Sequence, residues 1–378
     1  MAGKNKILSK LTVLSALAAA CLALSGCFEI ETYTTYVPID FRSYAATSGS
    51  SVQATRADGS FVPVGQTVLP DSSSFGVFAF YQEGVIGSGT PALWSAGGWK
   101  PEYMFNQQVD FDGTNYSYTP LRYWPANDEN RISFWAYYPY SAYVSGNTGD
   151  LKLFESDGTT PYSKTSVGLP KVSYTVSMDP AQQRDLLFDS FANTDKTYDN
   201  CAPTPGTVNL NFRHALALVE FQIIEGTGAV INAMDISNLY WNGVCTDVTN
   251  LTWASQGGLD DFSISDVTVE SSTVCRLLMI PQDLTVSNPV LTINYDITFE
   301  SSDPSHPDPI VYTGDSFSVK LFDNTNPDAS KRYGVLEWEA GKHYIYKITA
   351  GLDRIEFEEI VEAGDDWIVG NSNISVPE

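Results

Sequence analysis

The stretch Val290-Leu-Thr-Ile-Asn-Tyr-Asp-Ile-Thr-Phe299 carries Leu, Ile, Tyr, Ile and Phe at its odd positions and polar residues between them. A period of two is the side-chain period of a β-strand. Apolar side chains on one face and polar side chains on the other are typical of an antiparallel sheet that packs on a core and faces water on its second side. The stretch therefore predicts a half-buried antiparallel strand.

Further strands are predicted on both sides of this stretch. Phe75–Tyr81 and Arg131–Tyr138 are rich in aromatic residues and are bounded by turn residues, whereas Lys171–Ser177, Val219–Ile223 and His343–Leu352 show strand-like alternation. Outside the N-terminal leader, apolar residues nowhere keep a 3.6-residue period for three turns. The chain is therefore predicted to be all-β.

One segment in the middle of the chain has the composition of a linker. Asp195–Gly206 ends in Pro203, Pro205 and Gly206, which interrupt both helical and strand patterns. A chain of 378 residues is long enough for two domains of ordinary size. The sequence therefore predicts two antiparallel β-sandwiches in tandem, at residues 57–203 and 204–378.

The first 26 residues have the pattern of a secretory signal peptide. Three lysines precede an apolar run from Leu11 to Leu24, and this run is shorter than the roughly 20 residues that span a bilayer. Leu24-Ser-Gly-Cys27 resembles the bacterial lipobox, in which the cysteine is acylated and becomes the first residue of the mature protein. We predict export and a lipid anchor on Cys27. Ordinary secretory cleavage without acylation is the alternative.

The charge of the chain excludes one class of partner. With 21 Lys and Arg against 45 Asp and Glu, the formal charge is −24. Nucleic-acid binding needs clustered cations, so nucleic acid is not expected as a partner. Of the five cysteines, Cys201, Cys245 and Cys275 remain beyond Cys27 and show no CxxC spacing. We predict no disulfide framework, and Cys275 as a small buried apolar residue.

Patterns that carry catalysis or metal binding are scarce. The three histidines stand apart in the sequence, and neither HExxH nor GxSxG occurs. His214 is predicted to be a hydrogen-bonded structural histidine, and Asp110-Phe-Asp-Gly113 an ordinary turn rather than a calcium loop. We therefore expect no enzyme, no cofactor and no metal site. A pair of carboxylates for glycoside hydrolysis cannot be excluded by counting, because such pairs form only in the fold.

The aromatic residues allow a second kind of function. Exposed aromatic rings offer flat apolar faces on which sugars can stack. Trp94 and Trp99 lie in a Gly-rich segment predicted to be a loop, so a ligand-facing role and a core role are both open for them. Trp135 and Tyr138 lie on a predicted strand, where aromatic residues usually fill the core of a sandwich, and both are expected in the core.

Several segments taken together resemble the fimbrillins, the subunits of the type V pili of Bacteroidales, and the related fimbrillin-like lipoproteins. The segments that carry the resemblance occur in family order along nearly the whole chain: Thr55-Arg-Ala57, Phe75–Tyr81, Tyr123-Trp-Pro125 with Ile132–Pro139, Asp185-Leu-Leu187, Val208–Ala215 and Trp338–Tyr346. The resemblance implies transthyretin-like sandwiches, export as an outer-membrane lipoprotein and assembly with other pilus subunits into a fimbrium at the cell surface.

The resemblance also implies cleavage by an arginine-specific protease near the N-terminus. Removal of the first strand opens a groove, which a C-terminal strand of another subunit fills. Here Val37, Ile39 and Phe41 alternate with polar residues or proline, as a groove-filling strand should. Arg56 lies in a small, polar segment that a protease could enter, so the predicted cut falls between Arg56 and Ala57 and residues 27–56 form a removable segment.

The resemblance places the donated strand in the C-terminal region. Two short apolar runs occur there, one with Ile355 and Phe357 and the other with Trp367 and Ile368, and either could be the donor. A second function remains open beside assembly. A surface lipoprotein that does not polymerise, or a tip subunit, could act as an adhesin that binds a host protein or a glycan.

Overall fold

The computed structural model describes residues 37–45, 69, 72–82, 98–124, 131–142, 150–189, 197–198, 207–225, 229–265, 272–299, 305, 308–325, 327–328, 332–350 and 355–362. Within these ranges, no helix has the length and hydrophobicity needed to cross a bilayer.

Strands make up nearly all of the regular structure. In the described part of the chain, one short helix, α1, spans Leu284–Ser287, and one 3-10 turn spans Pro180–Gln182. The strands are β1 (Phe41–Ala45), β2 (Ser73–Gln82), β3 (Met104–Phe111), β4 (Tyr116–Ser117), β5 (Arg131–Tyr138), β6 (Leu151–Phe154), β7 (Lys171–Thr175), β8 (Leu187–Asp189), β9 (Thr197–Tyr198), β10 (Val208–His214), β11 (Ala217–Glu225), β12 (Ala229–Leu239), β13 (Asn242–Asp247), β14 (Thr252–Gln256), β15 (Asp260–Ser265), β16 (Ser272–Met279), β17 (Gln282–Asp283), β18 (Val290–Phe299), β19 (Ile310–Lys320), β20 (Glu337–Trp338), β21 (His343–Ala350) and β22 (Ile355–Glu362).

The strands form four main sheets. Sheet I has the order β1-β10-β8-β5-β2-β3-β4, with β9 on β5, and sheet II has the order β14-β13-β7-β6. Sheet III is β16-β11-β21-β22 and sheet IV is β15-β12-β18-β19. Among the described strands, two pairs are parallel, β1 with β10 and β11 with β21, and the other pairs are antiparallel. The all-β prediction is confirmed.

The predicted strands are present where the side-chain period indicated them. β18 begins at Val290 and ends at Phe299, and Leu291 and Ile293 on its apolar face are fully buried. In β21, Tyr344, Tyr346 and Ile348 point into the core as the alternation predicted. The alternation was therefore a correct guide to the apolar face of both strands, although in β21 His343 and Ile345 on the other face are buried as well.

Aromatic residues dominate the interior of the first half of the chain. Trp135 is fully buried, and its ring lies 5.7 Å from the ring of Phe78 and 5.9 Å from that of Tyr137. The core prediction for Trp135 is confirmed, whereas Tyr138 is only half-buried. Cys275 lies in the same core, and Cys245 and Cys275 are both buried and form no disulfide.

Strands from both sides of the predicted domain boundary share sheets. β10 begins after the proline-rich linker, yet it pairs with β8, which precedes the linker. β7 and β13 likewise pair across the boundary in sheet II. The division into two domains at residues 203 and 204 stays a prediction. The pairing shows in addition that β10, which follows the linker, belongs to the same sheet as strands from the first half of the chain.

Candidate functional site: the edge strand β1 and its groove

β1 lies at one edge of sheet I. It runs parallel to β10, with Phe41 opposite Val208 and Ala45 opposite Phe212. The backbone N–H of Val208 donates a hydrogen bond to the carbonyl of Asp40 over 2.8 Å. An edge strand has a single neighbour in its sheet, so it can leave without breaking the pairing of the remaining strands.

The residues just before β1 are also held on their other side. The N–H of Ile39 donates to the carbonyl of Arg122 over 2.9 Å, and the Tyr118 hydroxyl donates to the carbonyl of Ile39 over 2.8 Å. Pro38 forms an isolated bridge with Tyr123. The segment 38–45 therefore lies in a channel that residues 118–123 flank at its start and β10 flanks from Asp40 onward. We call this channel, with the side chains beneath it, the β1 groove.

The side chains of the segment alternate as the sequence predicted. Ile39 is fully buried and Phe41 is 3% exposed, whereas Asp40 and Arg42 are exposed. Val37 is half-buried. The apolar residues thus face the protein, and the polar residues face the solvent.

The Phe41 ring is set among three other aromatic rings. Its centroid lies 5.5 Å from that of Tyr118, 5.8 Å from Phe134 and 6.4 Å from Phe75, each in an edge-to-face arrangement. Burial raises the pKa of Tyr118, so its hydroxyl stays protonated and can donate to Ile39. Burying an aliphatic or aromatic side chain contributes about 1.5–3 kcal/mol. A favourable aromatic pair contributes about 0.5–1.5 kcal/mol more.

Loss of β1 would change the groove in two ways. The edge of β10 would present unpaired N–H and C=O groups, and the rings of Phe75, Tyr118 and Phe134 would lose their cover. An extended peptide can satisfy both by strand addition, with main-chain hydrogen bonds to the edge and apolar side chains in the pockets. Without β1, the groove would therefore offer both features that strand addition uses.

The predicted processing and anchoring residues lie outside the described residues. These are Cys27, Arg56 and Ala57. Their order along the chain still matters, because β1 ends at Ala45 and every other described strand begins after Arg56. A cut after Arg56 would thus separate β1 from all the other described strands.

One predicted donor run is seen as a strand. Ile355 and Phe357 lie in β22, which is the edge strand of sheet III and pairs antiparallel with β21 from Ile355 opposite Ala350 to Glu362 opposite His343. Trp367 and Ile368 lie outside the described residues. In this structure the first candidate donor is thus paired within its own chain.

The ligand-facing role set out for Trp99 does not agree with the structure. Trp99 is 5% exposed and packs in the main hydrophobic core, and its carbonyl accepts a hydrogen bond from the N–H of Gly168. A ring buried in this way has no face free to stack on a sugar. Trp94 lies outside the described residues.

The residues predicted from the sequence to be a structural histidine and an ordinary turn both form hydrogen bonds within the protein. His214 is 2% exposed, and its Nδ1 lies 2.7 Å from Asp185 Oδ2, as expected of a hydrogen-bonded histidine. In the segment Asp110–Gly113, predicted to be an ordinary turn, Asp112 accepts hydrogen bonds from the N–H groups of Asn115 and Thr114, which lower the pKa of Asp112. Among the described residues, no group of three metal-ligating side chains comes together.

Sequence reasoning missed a buried polar cluster that surrounds Glu220. This carboxylate is 2% exposed, and its oxygens lie 2.6 Å from Arg276 Nε, 3.1 Å from His343 Nε2 and 2.6 Å from Gln222 Nε2. Burial alone would raise the pKa of Glu220, but the hydrogen bonds from His343, Gln222 and Arg276 outweigh burial and lower the pKa to about 2. The only sequence signal was a charged residue within an apolar strand.

The comparison with known protein families identifies the family to which this chain belongs. The family model described as fimbrillin-like matches residues 55–362. The chain belongs to the fimbrillin-like family. The resemblance found in the sequence is thereby confirmed.

Individual relatives agree with this fimbrillin-like assignment. The fimbrium subunit Fim1C of Phocaeicola vulgatus is 27% identical over 205 residues, which cover 53% of this chain and 48% of that protein. The match thus spans about half the length of that curated relative. The crystal structure of a fimbrial protein from Bacteroides vulgatus has the same fold, with a TM-score of 0.54 and 20% identity over 76% of this chain and 92% of the other.

Proposed function

We propose that this fimbrillin-like protein is a structural subunit of a fimbrium that polymerises at the cell surface by strand exchange. An arginine-specific protease cuts after Arg56, β1 leaves its groove, and a strand of another subunit takes its place beside β10. The observation that carries the proposal is that β1 is an edge strand lying on the N-terminal side of the predicted cut, with Ile39 and Phe41 buried in a pocket of aromatic rings. The role needs no catalytic residues and no cofactor.

The cut acts through effective concentration. While β1 belongs to the same chain as its groove, the local concentration of the segment is in the millimolar range or higher, so a strand from another molecule competes poorly. After the cut, β1 is a separate peptide that is diluted when it dissociates. The precursor therefore stays monomeric during export, and processing starts assembly.

The fimbrillin-like family match supports the position of the cut. The match begins at residue 55, beside Arg56, so residues 27–54 of the segment that we propose to be removed lie outside it. In the precursor, acylation of Cys27 would hold the chain at the outer membrane as a lipoprotein. Cleavage after Arg56 would then release the anchor and open the groove in one step.

The donor is one of the two C-terminal runs. Donation of β22, with Ile355 and Phe357, would require its pairing with β21 to break. This cost favours the following run, with Trp367 and Ile368, as the segment that enters the β1 groove of the next subunit. Exchange of each run for a Gly/Ser sequence separates the two choices, because only loss of the true donor stops chain growth.

An Arg56→Ala variant tests the proposal. We expect this variant to reach the outer membrane but to form no filaments, and N-terminal sequencing of surface protein should give Ala57 for the natural chain only. Arg42→Ala is the matched control, since Arg42 is the other basic residue between Cys27 and Lys100 and is exposed on β1. Intact surface filaments in the Arg56→Ala variant would refute cleavage at this bond.

A further inference from the structure

A second groove lies away from the β1 groove, where β14, β17 and β20 meet the end of β10. It has a volume of about 680 Å³, within the roughly 300–1,000 Å³ of small-ligand sites. Trp253 on β14 lines it and is half-buried. We call it the Trp253 groove.

The Trp253 ring is laid against the sheet by a glycine on the neighbouring strand. A Cβ atom at Gly243 would lie 3.0 Å from Cε3 of Trp253 and 2.6 Å from Cγ2 of Ile280, so any larger residue would push the indole ring away. The absence of a side chain at Gly243 lets the ring pack closely on β13. The groove thus has a flat aromatic wall.

The other walls of the Trp253 groove are held by buried hydrogen bonds. The Gln282 side chain, 4% exposed, accepts from the N–H of Tyr240 over 3.1 Å and donates to the carbonyl of Ile280 over 3.1 Å. Trp338 is 1% exposed and donates through its indole nitrogen to the Tyr346 hydroxyl over 3.0 Å. Because these contacts are satisfied within the protein, the groove is preformed and binding does not require its walls to order.

The charges around the groove select against anionic ligands. Asp283, Glu337 and Glu339 line it, and Glu339 is paired with Lys342. Arg213 is the cationic residue of the described lining, and its guanidinium already donates to the carbonyl of Thr249 over 2.7 Å. The remaining carboxylates repel an incoming acid, whereas they can accept hydrogen bonds from hydroxyl groups.

We propose that the Trp253 groove binds a neutral saccharide of one or two sugar rings. The apolar face of one ring stacks on Trp253, and its hydroxyl groups donate to Glu337 and exchange hydrogen bonds with the Ser255 hydroxyl. Such a ligand fits the volume of the groove, can stack on its flat aromatic wall and is compatible with its negatively charged rim. The site does not depend on departure of β1, so it would work in precursor and processed subunits alike.

Titration of the full-length protein with lactose and chitobiose tests the saccharide proposal, with sialyllactose as the anionic comparison. Tryptophan fluorescence and calorimetry should show binding of at least one neutral sugar with a Kd of about 1 mM or tighter. Sialyllactose should bind at least tenfold more weakly than lactose. No binding of either neutral sugar, or equal binding of sialyllactose, would overturn the proposal.

Two variants locate the binding. Trp253→Ala removes the stacking ring, but it also opens a space on β13 and can impair folding. Ser255→Gln fills the groove beside Trp253 while leaving the ring in place, and should weaken sugar binding at least tenfold. Ser263→Gln, on the exposed face of β15, is the matched control and should bind as the natural chain does. Equal affinity in the Ser255→Gln and Ser263→Gln proteins would place the sugar elsewhere. We expect these changes to leave filament formation unaltered, because none of them lies in the β1 groove, so failure of the saccharide proposal and failure of the proposed assembly are distinguishable.

Discussion

Replacement of Phe41 by alanine tests whether β1 is a temporary part of the fold. Phe41 is 3% exposed and contacts the rings of Tyr118, Phe134 and Phe75. Truncation of a buried phenylalanine to alanine lowers the free energy of unfolding by about 3–5 kcal/mol. Because β1 is an edge strand and can shift into the space left by the ring, we expect a loss near the lower value for Phe41→Ala. A loss of about 3 kcal/mol makes release of β1 about 150-fold more favourable.

Hydrogen exchange at a single amide reports this equilibrium. The Val208 N–H donates to the carbonyl of Asp40 and becomes free when β1 leaves. In the uncut Phe41→Ala protein, the protection factor of this amide should fall by about two orders of magnitude. After cleavage at Arg56, the natural and variant chains should have the same stability, because the residue that differs has left with β1.

Phe78→Ala is the matched control for Phe41→Ala. Phe78 is fully buried and packs on Trp135 and Tyr137, among strands that remain after the cut. It should lower the urea midpoint of the precursor and of the processed protein by similar amounts. If Phe41→Ala destabilised the processed protein as much as the precursor, β1 would still be in place after processing and the reasoning would fail.

Two further predictions concern the second half of the chain. Because the pKa of Glu220 is lowered to about 2, its ionised form stabilises the fold above about pH 4.5, and this contribution is lost as the pH falls towards 2. Glu220→Gln should cost about 3–5 kcal/mol at pH 7 and flatten the acid side of the stability curve, measured by urea unfolding between pH 2 and 7, and an unchanged pH profile would contradict this. Gly334→Ala places a Cβ 2.4 Å from the Leu321 carbonyl oxygen at a φ of +94°, and should lower the melting temperature, whereas Gly258→Ala, with no atom within 4 Å, should not.

Strands were predictable where one face meets water. Along β18, the alternation of Leu291 and Ile293 with polar residues gave the strand and its buried face. β5 is buried on both faces, since both Phe134 and Trp135 are fully buried. The alternation of Ile132, Phe134, Ala136 and Tyr138 and the following proline predicted the strand, but this alternation could not show that the second face is also buried.

Pairing between distant strands could not be read from the sequence. The parallel pairs β1–β10 and β11–β21 join segments far apart in the chain, and periodicity within a strand does not say which edge it meets. The linker illustrates the same limit. Pro203 and Gly206 signal an interruption of regular structure, but only the fold shows that β10, which follows, returns to the sheet that precedes the linker.

The limits of side-chain periodicity also explain which site residues could be predicted from the sequence. Ile39 and Phe41 were predicted to face inward, because their local alternation is sufficient to define a face. Trp99 was left open because a Gly-rich loop composition does not show that the chain turns back into the core. The Glu220 cluster was missed because Arg276 and His343 lie 56 and 123 residues further along the chain.

The positions of the first and last described strands bear on how a subunit could exchange strands without unfolding. β1 is the edge of sheet I and β22 is the edge of sheet III, so each has one neighbour among the described strands. Removal of an edge strand costs its own pairing and the burial of its own side chains, whereas removal of a central strand would split a sheet. Departure of β1 therefore leaves the pairing among β2 to β22 intact, and donation of the run that follows β22 would leave β22 paired with β21. The fully buried rings of Phe78, Trp135 and Tyr346 lie on strands within that retained part. In the proposed assembly, β1 is therefore joined to the rest of its subunit by a link that can be cut, whereas the donated run stays part of a continuous chain.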